Sequence, residues 1–191
     1  LGGNTASGER AGVLRVDAGS GSLALHADYA RRTTDDVELP GAASLLNSAT
    51  ESTSRALGAS FVGSAGFAGL SVSTLDSRYG IPLGSSAVAP DPDLESIQLD
   101  PQQTRIDAKV GLLDPFAGVE KLTLRAGHND YEHNELSADG PGTKFTNRGI
   151  EARLEAVHAP VFDWQGAVGV QFVDRDFEAI GEEAFVPPTE N

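Results

Sequence analysis

Alternation of apolar and polar residues is the feature of this sequence that most limits its fold. Successive side chains of a β-strand point to opposite faces, so sustained alternation indicates a strand with one apolar face. In residues 105–112 the even positions are Ile, Ala, Val and Leu, and the odd positions are Arg, Asp, Lys and Gly. Residues 121–127 repeat the pattern after the turn DPFAG. The two segments therefore predict a β-hairpin.

The same unit recurs along the chain. Three further pairs of alternating segments flank the turns GSGS, GSAG and APVFDW: residues 14–18 and 23–29, 57–61 and 68–72, and 150–156 and 168–172. Short turns thus alternate with long polar loops, as in bacterial outer-membrane barrels. The predicted fold is all-β, an antiparallel up-and-down meander of about eight strands that forms a partial wall of a transmembrane β-barrel. Strands of about 9 to 11 residues are expected, enough to cross a bilayer at a tilt.

The composition of the sequence limits which partners the chain can have. Only 39% of residues are hydrophobic and no long apolar run occurs, which excludes a membrane-spanning helix. The net charge of -14 argues against nucleic acid, whose binding requires Lys and Arg. The sequence offers no helix and no continuously apolar strand to cover the apolar faces, so we expect outer-membrane lipid to cover them.

The opposite, wet faces carry charges of both signs, which pairing across neighbouring strands would neutralise. The residues expected to face the interior are His26, Asp28, Arg105, Asp107, Lys109, Arg125, Glu151, Arg153 and Glu155. A wide, hydrated or plugged lumen suits such a set. Several aromatic residues are expected near strand ends, either as an interfacial girdle or as filling of a β core: Tyr29, Phe116, Tyr131, Phe162, Trp164 and Phe172.

The densest polar constellation follows the sixth predicted strand. His128, Asp130, His133 and Glu135 form the candidate metal site there, with Glu132 between them. Imidazole and carboxylate groups bind zinc, and alternate residues of a strand share a face, so His128 pairs with Asp130 and His133 with Glu135. The alternative is a solvated loop mouth, because the spacing matches no known zinc pattern.

Other candidate motifs are interpreted as structural. The segment DPDLE lacks the ligand pattern of a calcium loop and predicts a turn. His158 lies beside a short turn and is predicted to be structural. No nucleophile elbow, HExxH, P-loop or Cys nucleophile occurs, so we expect no enzymatic activity and no cofactor.

Longer segments resemble a known family. The runs DSRYGIP, RIDAKVGLLDPFAGVEKLTLRAGHNDYEHNEL, GTKFTNRGIEARLEAVHAP and WQGAVGVQFVDRDFEAIGEEAFVPP resemble the barrel of TonB-dependent outer-membrane receptors, especially the subgroup related to zinc-uptake receptors. The upstream run LALHADYARRTTDDVELPG is also similar. The resemblance is most specific over residues 76–188. The loop GIPLGSSAVAPDPDLESIQLD departs from the zinc-related members in having no His.

The resemblance implies a 22-strand barrel filled by an N-terminal plug, in the outer membrane of a Gram-negative bacterium. Residues 1–191 would be a fragment of that barrel domain, roughly strands two to nine, without the plug and the remaining strands. The chain opens on Leu1 without an initiator Met, which fits a fragment. The implied partners are lipid, the TonB energy-coupling protein acting through the absent plug, and a metal or metal chelate, with zinc as possible cargo.

The expected function is import of a scarce nutrient such as a metal ion or metal chelate. Two alternatives remain at this point: a small eight-stranded outer-membrane barrel with an adhesive or structural role, and a soluble β-barrel that binds an apolar ligand. The phase of the turns places both termini on the side of the long loops, which favours part of a larger wall.

Overall fold

The computed structural model describes residues 1–41, 43–87, 96–137, 140–181 and 189–190. The segment DPDLE and the last four residues of AIGEEAF lie outside the described residues. Within the described ranges no helix has the length and apolarity to cross a membrane. The strands of these ranges are β1 Gly2–Asn4, β2 Glu9–Ser20, β3 Leu23–Thr34, β4 Val37–Leu39, β5 Ala43–Leu46, β6 Thr50–Gly63, β7 Gly66–Gly80, β8 Gly84–Ser85, β9 Gln98–Phe116, β10 Val119–Ser137, β11 Gly140–His158, β12 Ala167–Ile180 and β13 Thr189–Glu190.

Ten strands form one antiparallel sheet in the order β1-β2-β3-β6-β7-β9-β10-β11-β12-β13. Eight of them are long, and each long strand pairs with the next one along the chain, which confirms the predicted meander. The short β1 pairs only with Glu9 to Ala11 of β2, and β13 pairs only with Asp176 and Phe177 of β12. The described sheet is therefore open, with most of the outer edges of β2 and β12 unpaired.

The long strands exceed the predicted length. They contain 12 to 19 residues, and β9, β10 and β11 contain 19 each. The predicted loop after the sixth long strand is wrong, because β10 continues to Ser137 and β11 begins at Gly140. Polar residues pair their backbones as well as apolar residues do, so the ladder continues where the alternating apolar pattern ends.

The other connections match the predicted asymmetry. Short turns follow β2, β6 and β9, and residues 159–166 link β11 to β12. The loops after β3 and β7 are long and contribute β4, β5 and β8 to a small second sheet. Asn47 ties these two loops together, since its Nδ2 donates to the carbonyls of Ile81 at 2.8 Å and Ile97 at 2.9 Å.

Register assigns every side chain of the large sheet to one of two faces, because directly paired residues point the same way. We call the face that carries Leu70, Ala108, Ala126, Ala152 and Phe172 the outer face; these residues form one continuous row. The opposite face is the groove face, whose neighbouring row is Ser71, Asp107, Gly127, Glu151 and Val173.

The described residues contain almost no packed core. Ala43 and Ala179 are their only buried hydrophobic residues. On the outer face Leu57, Leu70 and Val168 expose 60%, 61% and 70% of their surface. Among the described residues no layer covers the apolar face, and large contiguous apolar surfaces of this kind are rare on soluble monomers.

The six aromatic residues do not form one ring. We call the end of the sheet with the short turns the turn end, and the end with the long loops the loop end. Phe116, Phe162 and Trp164 lie at the turn end and are exposed, as a girdle requires. Tyr29 lies on the outer face towards the loop end. Phe172 lies within the apolar rows of β12, and Tyr131 lies on the groove face of β10. The predicted strand-end position is wrong for Phe172 and Tyr131, because β12 continues to Ile180 and β10 continues to Ser137, beyond the ends that their apolar segments indicate.

Candidate functional site

The groove face forms an open groove with a volume of about 950 Å³. All eight long strands contribute to its lining, so the groove face curves around it. The floor over β6 and β7 consists of small residues, Gly58, Ser60, Gly69 and Ser71. Charged side chains of β9, β10 and β11 stand beside this floor. The groove therefore combines a floor of small residues with charged side chains on one side.

An Arg that reaches across a strand organises the charged side of the groove. Arg105 of β9 lies 2.8 Å from Asp107 on its own strand and 2.9 Å from Glu151 on β11. The strand between them, β10, has Gly127 at the crossing point. A Cβ at Gly127 would lie 3.1 Å from both the Arg105 Nη2 and the Asp107 Oδ1. The missing side chain of Gly127 thus makes room for the ion pair over β10.

A second ionic group lies on β2 and β3. The His26 Nδ1 is 2.7 Å from Asp17 across the strand pair, and its Nε2 is 2.8 Å from Asp28. Arg15 also contacts Asp17, at 2.7 Å. The predicted pairing between neighbouring strands is thereby confirmed for His26, whereas Arg105 reaches past its neighbour β10 to Glu151 on β11. Pairing along one strand was not predicted.

Three basic residues stand directly beside one another in the groove. Lys109 pairs in register with Arg125, and Arg125 pairs with Arg153. Arg153 contacts Glu155 at 2.9 Å, and the Lys109 Nζ lies 5.3 Å from the centre of the Phe67 ring. In the part of the chain that the structure describes, Arg125 has no acidic side chain within 4 Å. We call Lys109, Arg125 and Arg153 the basic row.

The four residues of the predicted metal site lie in strand β10 rather than in a loop. As predicted, His128 and Asp130 share one face and His133 and Glu135 share the other. The structure separates the two pairs, because His128 and Asp130 continue the outer face while His133 and Glu135 continue the groove face. Among the described residues no three His, Asp or Glu side chains lie close enough to hold one metal ion.

Each pair has its own surroundings. His128 stands in register with Ile106 and Ile150, at the edge of the apolar rows. Asp130 accepts from the Arg148 Nε at 3.3 Å. Glu132, next on the same face, lies 2.8 Å from the Lys144 Nζ, and this hydrogen bond holds the pKa of Glu132 below its ordinary value. Metal capture by either pair of the site stays a prediction.

His133 belongs to an aromatic cluster that the sequence interpretation missed. Its ring stacks on Phe145 at 4.5 Å between centroids, and its Nδ1 lies 3.1 Å from the Tyr131 hydroxyl. Phe177 extends the cluster, 6.4 Å from Phe145. Burial raises the pKa of Tyr131. The odd positions of β10 carry both Tyr131 and His133, so the phase of Leu122 and Leu124 was the signal that could have placed them on the groove face.

His158 lies at the turn end, as predicted. Its Nδ1 is 2.7 Å from the Ala159 carbonyl, and its Nε2 faces Gly166. This position beside the turn agrees with a structural role.

The sequence was compared with models of protein families, and no family model matches it.

Proposed function

We propose that this chain forms part of the wall of an outer-membrane β-barrel, of the TonB-dependent receptor type, in a Gram-negative bacterium. The observation that carries the proposal is the uncovered apolar outer face. Leu57, Leu70 and Val170 are 60% or more exposed there, and the described residues supply no second layer. Lipid hydrocarbon would cover such a surface, so that its apolar side chains would not be exposed to water.

The height of the outer face supports the proposal. From Ile106 to Leu112 the apolar rows of the outer face span about 20 Å along β9, which a tilt of about 40° converts to about 15 Å across the membrane. The exposed Phe116, which follows a register irregularity, extends this surface towards the turn, within an apolar band that is about 25 Å high in outer-membrane barrels. Beyond Ile106 the outer face becomes polar, with Thr104 and Asp130 in the next row.

The open edges support a large barrel rather than a closed one of eight strands. Unpaired backbone groups are costly in hydrocarbon, so β2 and β12 require further strands beside them. The charged groove face suits a hydrated or plugged lumen, and the loop end carries the polar extensions. In the proposed barrel these features serve import of a scarce nutrient, such as a metal ion or metal chelate, with energy coupling through a plug and the TonB protein. We propose no catalytic role.

A matched pair of substitutions tests the assignment of the faces. Leu70 lies among the apolar rows of the outer face, and its neighbour Ser71 lines the groove. In the full-length protein, Leu70→Arg should reduce assembly into the outer membrane strongly, because Arg at the bilayer centre costs about 2 to 4 kcal/mol. Ser71→Arg should assemble as well as the wild type. Membrane fractionation and heat-dependent gel mobility measure assembly, and equal assembly of both variants would reject the proposal.

A further inference from the structure

The charge of the groove differs from the charge of the chain. The whole sequence has 14 Lys and Arg residues against 28 Asp and Glu. The groove lining has four Lys and Arg, namely Arg105, Lys109, Arg125 and Arg153, against three Asp and Glu, namely Asp17, Asp107 and Glu151. The groove lining therefore lacks the large acidic excess of the chain as a whole.

The acids beside the basic row are already engaged. Arg105 contacts both Asp107 and Glu151, and Arg153 contacts Glu155. Lys109 and Arg125 therefore keep no acidic partner within 4 Å among the described residues. Both residues are exposed, and the Lys109 Nζ lies 5.3 Å from the centre of the Phe67 ring.

The register makes this arrangement of basic residues unfavourable by itself. Directly paired residues have Cβ atoms about 5 Å apart, and like charges on directly opposite residues destabilise a sheet. Lys109, Arg125 and Arg153 form two such register pairs in succession. A bound anion would remove the repulsion and supply acceptors to all three side chains at once.

We propose that the basic row is a binding site for a small polycarboxylate solute, with carboxylate groups received by Lys109 and Arg125 and supported by Arg153. The planar guanidinium of Arg125 can donate two parallel hydrogen bonds to one carboxylate. The floor of Gly58, Ser60, Gly69 and Ser71 leaves space for the body of the solute. The groove volume of about 950 Å³ lies within the range of small-molecule sites. This inference rests on the proposed barrel, whose lumen would bring the solute to the row.

Calorimetric titration of the full-length protein in detergent, with citrate as the probe, tests the proposal. The wild type should bind citrate and should not bind a neutral sugar of similar size. Arg125→Gln should weaken citrate binding by about tenfold or more, because a hydrogen bond between charged groups is lost. Arg125→Lys should keep part of the affinity. Higher salt should weaken binding by the wild type.

The control variant is Arg148→Gln, since Arg148 lies on the outer face and is paired with Asp130. Its affinity for citrate should equal that of the wild type. Absence of citrate binding by a wild-type protein that assembles normally would overturn the proposal, and so would equal affinity in Arg125→Gln. The first of these results would indicate that acidic groups of the protein itself are the partner of the basic row. Normal assembly would still leave the barrel assignment intact, so the two proposals fail separately.

Discussion

The polarity of the outer face and that of the groove face change in opposite directions along the same strands. On β10 the outer face runs from Leu122 and Leu124 to Asp130 and Glu132, so it changes from apolar to charged. The groove face runs in the opposite sense, from the charged Arg125 to the aromatic cluster around His133. The register between β9 and β10 shows no irregularity from Lys121 to Leu136, so no bulge causes the exchange.

The comparison teaches where the surroundings of the sheet change. An unbroken ladder keeps each side chain on its face, so a change of polarity along one face reflects a change of environment. Near His128 the outer face would leave hydrocarbon for headgroups and water. Ion pairs between neighbouring strands then line this face beyond the boundary: Arg31 with Glu51, Arg55 with Asp76, Arg78 with Asp100, Lys144 with Glu132, and Arg148 with Asp130. At the same level aromatic side chains line the groove face.

The largest expected effect comes from placing the same charge on either side of this boundary. Val110 and Thr104 both lie on the outer face of β9, three rows apart. Val110→Arg should cost about 2 to 4 kcal/mol of folding stability in lipid, whereas Thr104→Arg should cost about 0 to 1 kcal/mol. Denaturant titration of the full-length protein in vesicles measures both. Equal costs would place the boundary elsewhere.

Breaking the aromatic cluster tests the groove side of the exchange. A double-mutant cycle with His133→Ala and Phe145→Ala should give a coupling of about 0.5 to 1.5 kcal/mol, the usual value of an aromatic pair in contact. The cycle of His128→Ala with Phe145→Ala serves as the control, because His128 points to the other face. A coupling of similar size in the control would mean that the two faces are not separate at this level.

Filling the space that Gly127 leaves over β10 tests whether this space is needed for the ion pair between Arg105 and Glu151. Gly127→Ala places a Cβ 3.1 Å from Arg105 and Asp107 and should loosen the contact of Arg105 with Glu151. The expected cost is about 1 kcal/mol, the upper value for a partly exposed ion pair. Gly58→Ala is the matched control on the same face, since its nearest atom would lie 3.5 Å away. Chemical denaturation compares the two, and a greater loss in Gly58→Ala would contradict the assigned role of Gly127.

The smallest expected effect concerns pH at the loop end. The hydrogen bond from Lys144 lowers the pKa of Glu132 below its ordinary value of 4.5. A lowered pKa in the folded state stabilises the hairpin above the ordinary pKa, and this stabilisation is lost as the pH falls through the folded value. Hydrogen exchange of residues 130–146 should therefore show additional opening in acid, below about pH 4. Glu132→Gln should lack this acid-dependent component, and an unchanged pH profile in that variant would exclude Glu132 as its source.

The sequence by itself determined the local pattern: which segments form the long strands, where most of the short turns lie and which residues of a strand share a face. These properties depend on neighbours along the chain, because alternation and turn residues act over a few positions. The all-β meander, the shared face of His128 and Asp130, and the mixed charges of the face opposite the apolar one were accordingly predicted correctly. The extended length of β10 was missed, because a polar strand end has no apolar pattern to mark it.

Only the tertiary structure decided what stands beside what. Register joins segments that are distant in sequence, so no local pattern shows that Arg105 meets Glu151 across Gly127, or that Lys109, Arg125 and Arg153 form one row. The same pairing separated the candidate metal residues onto two faces, where His128 borders apolar rows and His133 stacks on Phe145. A shift of one residue in register would move the side chains of a strand to the opposite face and remove these contacts. The pairing of strands, and not their composition, therefore defines the groove.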